Sequence, residues 1–326
     1  SGFHQVEIKN CSNVTYANTI SKLSLVAYWS IGDSNVNGLE FSGFSMLKYV
    51  GLILKNDTER NYFSSCFSGT GLTSIPQGLF DNCVKAFIFN NVFYSVPITS
   101  IPVGLFDHCT EAREFKGAFE KTLLSSIPED IFKYNVIASN FNLCFASTKI
   151  TSVPERLFYY CSNAVVFGGF DNWGKAQGCF SRSLLESVPA NLFINNKKAS
   201  NFDGCFQYSK IKNLPAGLID NCPVTAMNYF CNECKMNSVV LPSISSSLGR
   251  YSFDSLGFDL KYIISNSAIP QTIETTTFSN SNIYRYSIYV PDESVDAYKT
   301  ATNWTVLAGR IKPMSQFATD FPEEEI

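Results

Sequence analysis

The chain has 326 residues, of which 45% are hydrophobic and 16% are charged, against about 25% charged residues in an ordinary globular domain. Lys and Arg number 25 and Asp and Glu 28, so the net charge is −3, and the composition gives no electrostatic signature of a nucleic-acid or anionic-lipid partner. No apolar run reaches the ~18 residues of a transmembrane helix, so we predict no transmembrane segment in this chain.

Residues 1–61 contain two stretches with the composition of β-strands, "KLSLVAYWSI" and "LKYVGLILKN". We predict an N-terminal cap with one or two irregular turns over this region. The chain begins at Ser1 without a methionine, which indicates a processed or trimmed product. Any export signal or lipid anchor would have belonged to the missing N-terminus.

From residue 62 the chain repeats a ten-residue phrase, first seen as "SIPQGLFDNC" at 74–83. The prolines of the six copies are Pro76, Pro102, Pro128, Pro154, Pro189 and Pro215. Their spacing is 26 residues, except for one step of 35 that contains an insertion at about 168–176, "GGFDNWGKA". A fixed period of this length is typical of a solenoid, in which each turn stacks only on its neighbours.

Most positions of the repeat have a structural interpretation. The segment before the proline, "LTSI" at 72–75, favours a short strand that the proline ends. The second residue after the proline is mostly Gly, Asn or Asp, as at a backbone with positive φ, and Arg156 departs from this pattern. Apolar residues recur nine and thirteen positions before the proline and as a pair just after it, which predicts phenylalanine and Leu/Ile spines inside the coil. The two columns before the proline are Phe67, Phe93, Phe119, Phe145, Phe180 and Phe206, and Phe63, Phe89, Phe115, Phe141 and Phe202.

The cysteines fall into two further columns. Cysteine exchanges with Asn in the column of Cys83 and Asn135, and with Val or Ala in the column of Cys66. A catalytic or metal-binding role would not survive such exchange, so we predict small buried side chains with reduced thiols. Eleven cysteines leave at least one thiol unpaired. The sequence does not decide whether neighbours such as Cys83 and Cys109 form a disulfide.

The pattern continues in weaker form through "VVLP" (239–242), "YIIS" (262–265) and "YSIYVP" (286–291). A short helix is predicted next, with Asp292 as its N-cap and with Val295, Tyr298 and Trp304 as the apolar face that seals the last turn. The terminal "DFPEEEI" is acidic and is predicted to be mobile.

The combination "LTSIPxGLFDxC", with "CF" a few residues earlier, resembles the leucine-rich repeats of the BspA-type (Treponema-type) family, common in surface proteins of Bacteroidetes. The resemblance is strong over residues 62–222, and "IYVPDESVDAYKTATNWTVLAGRIKPM" (288–314) resembles the terminal cap of that family. It implies a repeat solenoid, α+β or mainly β, wound as a right-handed leucine-rich-repeat superhelix and closed by a C-terminal helical cap. We divide the chain into an N-terminal region (1–61), a solenoid (62–291), and a capping helix with acidic tail (292–326).

Three features are compatible with chemistry, and each has a simpler interpretation. His108 beside Cys109 has the residue types of a nucleophile pair, but other copies place Asn or Tyr at the histidine position. Cys231-x-x-Cys234 has the spacing of half a zinc site without a second half. Asp81 and its counterparts fit a turn cap better than a glycosidase carboxylate pair or a calcium ladder. We predict no catalytic residue, no metal site and no cofactor.

Two groups of residues are candidates for ligand binding. Phe170, Asp171, Asn172 and Trp173 lie between glycines of the insertion, and Glu186 and Lys212 occupy a column that earlier turns fill with Ser or Thr. An aromatic loop on a rigid solenoid suits capture of a protein or a sugar; the simpler interpretation is that its rings fold back onto the coil.

The resemblance implies export and an adhesive role. We predict a non-catalytic recognition module, cell-surface (outer-membrane attached) or extracellular, that binds a protein or glycan ligand on a host or neighbouring cell. One alternative is a structural or assembly component of a surface or phage appendage. A distant alternative is a carbohydrate-active enzyme.

Overall fold

The computed structural model describes residues 25–30, 41–43, 45, 47–53, 62–171, 174–279 and 286–324, without the side chains of 25–30 and 48–53. Over the repeats the chain is a solenoid, because segments one repeat apart lie side by side and parallel. Single parallel bridges link, in order, Tyr62, Ile88, Glu114, Asn140, Val166, Asn201 and Ala226. The bridged residues are 26 apart, except for 35 across the insertion and 25 at the last step.

Two strands precede the repeats. β1 (Leu25–Ser30) and β2 (Leu47–Ile53) pair in parallel, which confirms the strands predicted in residues 1–61. Phe41 is buried, and its ring stacks on Phe67 with 5.6 Å between the ring centroids. The stacking therefore begins before residue 62.

Phenylalanine rings fill the inside of the coil in three stacks. The stacks are Phe63, Phe89, Phe115, Phe141, Phe167 and Phe202; Phe41, Phe67, Phe93, Phe119, Phe145, Phe180 and Phe206; and Phe80, Phe106, Phe132, Phe158 and Phe193. Within a stack the centroids are 5.3–6.2 Å apart, and edge-to-face contacts of 4.7–5.1 Å join the first stack to the third. Both geometries are favourable for aromatic rings, and the predicted spines are confirmed.

The insertion forms the hairpin of β3 (Gly168–Phe170) and β4 (Ala176–Gly178), which pair antiparallel. The stack is not interrupted there, because Phe167 lies 5.7 Å from Phe141 and 5.5 Å from Phe202. The sequence column lacked a phenylalanine in this copy because the insertion separates Phe167 from its proline.

The strand predicted at "LTSI" is wrong for the first five copies, where no strand forms. Hydrogen bonds between these segments are sparse; one example runs from the Lys149 N–H to the Leu124 carbonyl at 2.8 Å. The dense bonding lies nearer the bridges, where the N–H groups of 63, 65, 67 and 69 donate to the carbonyls of 88, 90, 92 and 94. Each repeat thus concentrates its backbone pairing away from the proline, which has no N–H to donate.

A five-stranded parallel sheet forms in the last part of the coil. It consists of β5 (Asn213–Leu214), β6 (Ser238–Val240), β7 (Tyr262–Ile264), β8 (Ser287–Val290) and β9 (Ile311–Pro313), in that order. Each of the three weaker copies of the repeat therefore contains a strand. Buried Leu214, Val239, Ile263, Ile288 and Ile311 lie in register on the inner side.

Cysteine and asparagine exchange in one column because both donate to the preceding turn. Cys109 Sγ donates to the Phe80 carbonyl at 3.7 Å, whereas Asn135 Nδ2 donates to the Phe106 and Cys109 carbonyls at 3.2 and 2.8 Å. Burial raises the pKa of the Cys109 thiol. The eight cysteines from Cys109 to Cys234 are free, buried thiols.

The column after the proline only partly follows the prediction of positive φ. Gly78, Gly104, Asp130 and Gly217 have φ between 60° and 77°. Arg156 and Asn191 are not among the described residues with positive φ. The Arg156 guanidinium instead donates to Asp130 Oδ2 of the preceding turn at 2.6 Å.

The C-terminal cap begins with a 3₁₀ turn (Asp292–Ser294) and α1 (Val295–Thr300), followed by a second 3₁₀ turn (Thr305–Arg310). Tyr298 and Trp304 are fully buried against the last turn. Trp304 Nε1 donates to the Gln271 carbonyl at 2.7 Å. These contacts confirm the predicted apolar sealing face.

The predicted N-cap role of Asp292 is wrong. Its carboxylate does not cap the helix and instead accepts a hydrogen bond from the Ser315 N–H at 2.9 Å. Ser315 belongs to the 3₁₀ turn Met314–Gln316, which leads into α2 (Phe317–Asp320).

The prediction of a mobile tail is also wrong as far as residue 324. Phe317 contacts the rings of Tyr262 and Tyr289 at 4.8 and 5.0 Å, and Glu324 accepts a hydrogen bond from Lys261 Nζ at 2.8 Å. The tail therefore covers the outer side of β7 and β8. Among the described residues, no helix is both long and apolar enough to cross a membrane.

Candidate binding surface

Two positions in most turns have a left-handed backbone, with φ between 55° and 66°. One column is Ser65, Asn91, Gly117, Leu143, Gly204, Tyr229 and Tyr251, and the other is Gly69, Ser95, Lys121, Ser147, Arg182, Tyr208, Glu233 and Ser255. They lie in the segments that carry the dense bonding between turns. We call the surface of these segments the ladder face, and it comprises residues 62–71, 88–97, 114–123, 140–149, 166–184, 201–210, 226–235 and 248–257.

Side chains at the left-handed positions change along the ladder face. The first two turns hold Gly, Ser or Asn there, which adopt positive φ at low cost. From the hairpin onward these positions include Arg182, Tyr208, Tyr229 and Tyr251. A bulky residue with left-handed φ costs about 1–2 kcal/mol, and such strain concentrates where the side chain serves a function. The part of the ladder face around the hairpin is therefore the candidate binding surface.

The hairpin contributes Phe170 to a group of four side chains, the hairpin cluster, formed by Phe170, Tyr229, Arg250 and Tyr251. Phe170 contacts Tyr229 edge-on at 6.3 Å, and Tyr251 stacks on Tyr229 at 4.9 Å. The Arg250 guanidinium lies 5.6 Å from the Phe170 ring and 5.8 Å from the Tyr229 ring. Phe170 both packs on the coil and remains 37% exposed, so its ring can still meet a ligand.

A second cation–π pair lies on the same face. The Arg182 guanidinium sits 4.5 Å from the ring of Tyr208, which is 40% exposed. Tyr208 lies at a left-handed position, and the next turn of the coil carries Tyr229 of the hairpin cluster at another. Rings and guanidinium groups thus recur over successive turns.

A row of polar side chains supports the hairpin cluster from below. Asp203 Oδ1 accepts hydrogen bonds from the Asn228 N–H at 2.6 Å and from Asn228 Nδ2 at 2.9 Å. Asn228 Oδ1 in turn accepts the N–H of Arg250 at 3.1 Å. Burial raises the pKa of Asp203, while the Asn228 hydrogen bonds and the Arg250 charge act in the opposite direction. This row fixes the backbone that carries Arg250.

The row is interrupted where the hairpin leaves the coil. Asn142 is buried, and its Oδ1 has no hydrogen-bond partner. In the following turn the chain enters the hairpin at Gly168, and the Gly169 N–H donates to the Asp203 carbonyl at 3.1 Å. Asn142 therefore lacks the N–H that its counterparts accept.

The predicted site residues fall into two groups. In the hairpin, Asp171 Oδ1 accepts the Lys175 N–H at 2.8 Å and its Oδ2 accepts from Gln177 Nε2 at 2.9 Å. Asp171 thus closes the hairpin, while Phe170 joins the hairpin cluster. Asn172 and Trp173 lie outside the described residues.

Glu186 and Lys212 form the other group. They are exposed and pair with each other, with 3.6 Å between Lys212 Nζ and Glu186 Oε2. Both lie in the segment before the proline, outside the ladder face, whereas the contacts of Phe170 lie on it.

Sequence reasoning missed Arg182, Tyr208, Tyr229, Arg250 and Tyr251. The available signal was internal, because several of these residues stand where the first copies have Ser, Asn or Gly. Those positions were not recognised as left-handed, since Ser, Lys and Leu also occupy them.

The residues that suggested chemistry are separated or enclosed. His108 is exposed while its neighbour Cys109 is buried. Cys231 and Cys234 are both buried, and Cys234 Sγ donates to the Phe206 carbonyl at 3.1 Å. In the part of the chain that the structure describes, no group of three or more His, Cys, Asp or Glu is placed to hold a metal ion.

No protein-family model matches the chain, and no curated protein matches it. Among solved structures, the chain is similar to the APL1 leucine-rich repeat domain, with 10% identity over 80% of this chain and 76% of that one and a TM-score of 0.37. It is also similar to chains of the Drosophila Toll–Spatzle complex, with 10% identity over 91% of this chain and a TM-score of 0.23. The glycosylated form of that complex gives 14% identity over 68% of this chain and a TM-score of 0.22. The chain spans 52% and 36% of the two matched chains of that complex.

Proposed function

We propose that this chain is a non-catalytic recognition module that binds a protein or glycan through the ladder face around the hairpin. The observation that carries the proposal is the hairpin cluster. The one inserted segment of the coil brings Phe170 against Tyr229 and Arg250 and leaves these side chains within reach of a ligand. Aromatic and arginine side chains on a rigid support are the residues that dominate the energy of protein interfaces.

Binding fits the surroundings of the cluster better than a reaction does. The inside of the coil is filled by stacked rings, and the described thiols are buried. The polar side chains below the cluster are engaged with the backbone of the next turn. The rings and polar side chains inside the coil therefore support the surface, and the side chains exposed on that surface are aromatic and cationic.

The setting of the module rests on the resemblance to BspA-type leucine-rich repeats. That resemblance supports a right-handed superhelix of turns of about 26 residues, export to the cell surface or outer membrane, and an adhesive role. A structural part of a surface or phage appendage is the second proposal, since a solenoid of stacked turns also serves as a spacer.

An array of matrix proteins and glycans probed with the full chain tests the recognition function. Tyr229→Ala and Arg250→Ala should each weaken the array signals about tenfold or more, which is the scale of a central interface residue. Tyr134→Ala is the matched control, because Tyr134 is 46% exposed and lies outside the ladder face. Equal effects of all three substitutions would remove the site, and turnover of an array glycan would favour the carbohydrate-active enzyme instead.

A further inference from the structure

The ladder face is basic, although the whole chain has a net charge of −3. Between residues 114 and 257 its exposed cationic side chains are Lys116, Lys121, Lys149, Lys175, Arg182, Lys210, Lys235 and Arg250. Among the described residues of the same segments, Glu233 is the one exposed acid. The remaining acids there, Glu114, Glu120, Asp171, Asp203 and Asp254, are buried or half-buried. On this face the bases are therefore exposed, while most of the acids are withdrawn from the surface.

Most of these cations form no ion pair with a carboxylate of the described residues. Within the described residues, only Lys121 of the eight forms an ion pair, with Glu120 at 3.7 Å. Arg182 and Arg250 are held over tyrosine rings. A guanidinium has five N–H donors, and two of them can match a carboxylate or sulfate with parallel hydrogen bonds.

The cations also recur along the coil. Lys149 and Lys210 each precede the repeat proline by five residues. Lys235 occupies the equivalent place one turn later. The evidence is the contact between the preceding residues of the two turns, since Cys234 Sγ lies 3.4 Å from Ser209 Oγ. Leu184 takes this place in the turn between Lys149 and Lys210, so three of four successive turns, about 4.8 Å apart, offer positive charge along one line. A linear polymer with regularly spaced negative charges complements such a line better than an irregular protein surface does.

Exposed rings lie among the cations. Phe170 and Tyr208 present partly exposed rings beside Arg250 and Arg182. Ring faces pack against the apolar faces of sugars, while the cations meet the acidic groups.

We propose that the ladder face binds an acidic polysaccharide, a linear glycan that carries carboxylate or sulfate groups. This inference rests on the proposed recognition function and names the ligand class for the same face. Nucleic acid and acidic protein share part of the chemistry and are outcomes of the test.

The test uses the full chain and four immobilised probes: heparin as the sulfated glycan, polygalacturonate as the carboxylated glycan, neutral dextran, and double-stranded DNA. We expect binding to heparin, to polygalacturonate or to both, without binding to dextran, and the two arms separate sulfate from carboxylate. Between about 0.05 and 0.3 M salt the affinity should fall roughly tenfold, since the charges are exposed and screened.

Two triple variants with the same change in net charge isolate the face. Lys149→Gln/Lys210→Gln/Lys235→Gln should weaken polysaccharide binding by about tenfold, a loss on the scale of a few screened charge contacts. Lys133→Gln/Lys197→Gln/Lys198→Gln removes three exposed lysines outside the ladder face and should change binding less than about twofold.

Equal effects of the two triple variants would overturn the inference. Binding to dextran as tight as to the acidic glycans, or tighter binding to DNA, would overturn it too. None of these results removes the recognition function or its site; the site fails if Tyr229→Ala, Arg250→Ala and the control Tyr134→Ala change the array signals equally. The inference of an acidic-glycan ligand and the proposed binding site are thus tested by separate measurements.

Discussion

Between Tyr62 and Phe167 three continuous stacks of phenylalanine rings fill the coil, whereas from β5 onward fewer rings, Phe230, Phe253 and Phe278, share the core with Leu, Val and Ile. In the first region the bridged residues are always 26 apart. In the second, paired residues are 25, 24, 25 and 23 apart. Ring stacks accept only a narrow offset between neighbours, so they enforce a constant period. Aliphatic side chains interdigitate without such a constraint, and there the backbone pairs as true strands.

The difference between the ring-stacked region and the sheet region is tested most directly by removing one ring. Phe106 is fully buried among the rings of Phe80, Phe115 and Phe132, and Phe106→Ala should lower the free energy of unfolding by about 4 kcal/mol. In the sheet, Ile263→Val should cost only about 1 kcal/mol. Urea unfolding measures both, with Val103→Ala, at a 72% exposed position, as the control near zero. A loss below about 2 kcal/mol for Phe106→Ala would show that the rings are not closely packed.

The hairpin divides the two regions, and its base is the next test. A Cβ at Gly168 would overlap the backbone of Asp203, whereas a Cβ at Gly174 meets nothing within 4 Å but sits at a φ of +72°. Gly168→Ala should therefore cost about 3 kcal/mol through overpacking. Gly174→Ala should cost about 1 kcal/mol through strain alone. Similar melting temperatures for the two variants would contradict the close contact between hairpin and coil.

The column of exchanging cysteine and asparagine sharpens the comparison further. Asn135→Ala removes the side-chain donor to the Phe106 and Cys109 carbonyls, which keep only their backbone donors, and should cost about 2 kcal/mol. Asn135→Cys keeps one weak donor, as at Cys161, whose Sγ lies 3.8 Å from the Phe132 carbonyl, and should cost about half as much. Chemical denaturation of both variants gives the difference. If Cys and Ala are equivalent at this position, the column is set by volume rather than by hydrogen bonding.

The smallest expected effect concerns the tail over the sheet. Lys261 lowers the pKa of Glu324, and Lys312 with Tyr289 lowers the pKa of Asp320. Both groups are ionised more readily when the tail is docked. Their contribution is thus complete above the ordinary carboxyl values of 4.5 and 3.8 and is lost as the pH falls through the lowered ones.

An NMR titration of the Ala318 amide should show the tail leaving the sheet at acidic pH. The stacked rings near Phe106 should remain unchanged over the same range. In Asp320→Asn the transition should be smaller, and an Ala318 signal that does not respond to pH would contradict the electrostatic part of this docking.

The regular half of the fold was predictable because its determinants repeat. Columns of phenylalanine, and the exchange of Cys with Asn, reveal buried positions without any structure. Phe167 escaped because the insertion displaced it from its column, although its ring holds the ordinary place. The "LTSI" strands failed because composition favours an extended chain but does not say where the backbone pairs.

Most of the candidate binding surface was not predictable, for two physical reasons. A left-handed backbone at Leu143 or Arg182 has no local signature, because it is imposed by the turns on either side. The basic ladder face is invisible in a sum of charges, since acids of the same segments, such as Asp203 and Asp254, cancel its cations in the sum although they are buried in the structure. The prediction for the tail was wrong for a similar reason. Its acidic residues indicated a solvent-exposed segment, whereas Phe317 and Phe321 pack against tyrosine rings on β7 and β8.

Asn142 marks the turn at which the coil contains an insertion of nine residues. Its side-chain oxygen lacks the backbone N–H donor that its counterparts in other turns have. The stacks of Phe167 and Phe180 continue through this turn, so they do not depend on the residues at the tip of the loop. Loops of other length and specificity could therefore be grafted at this point, in evolution or by protein engineering. The unchanged turns would still supply the stability of the fold.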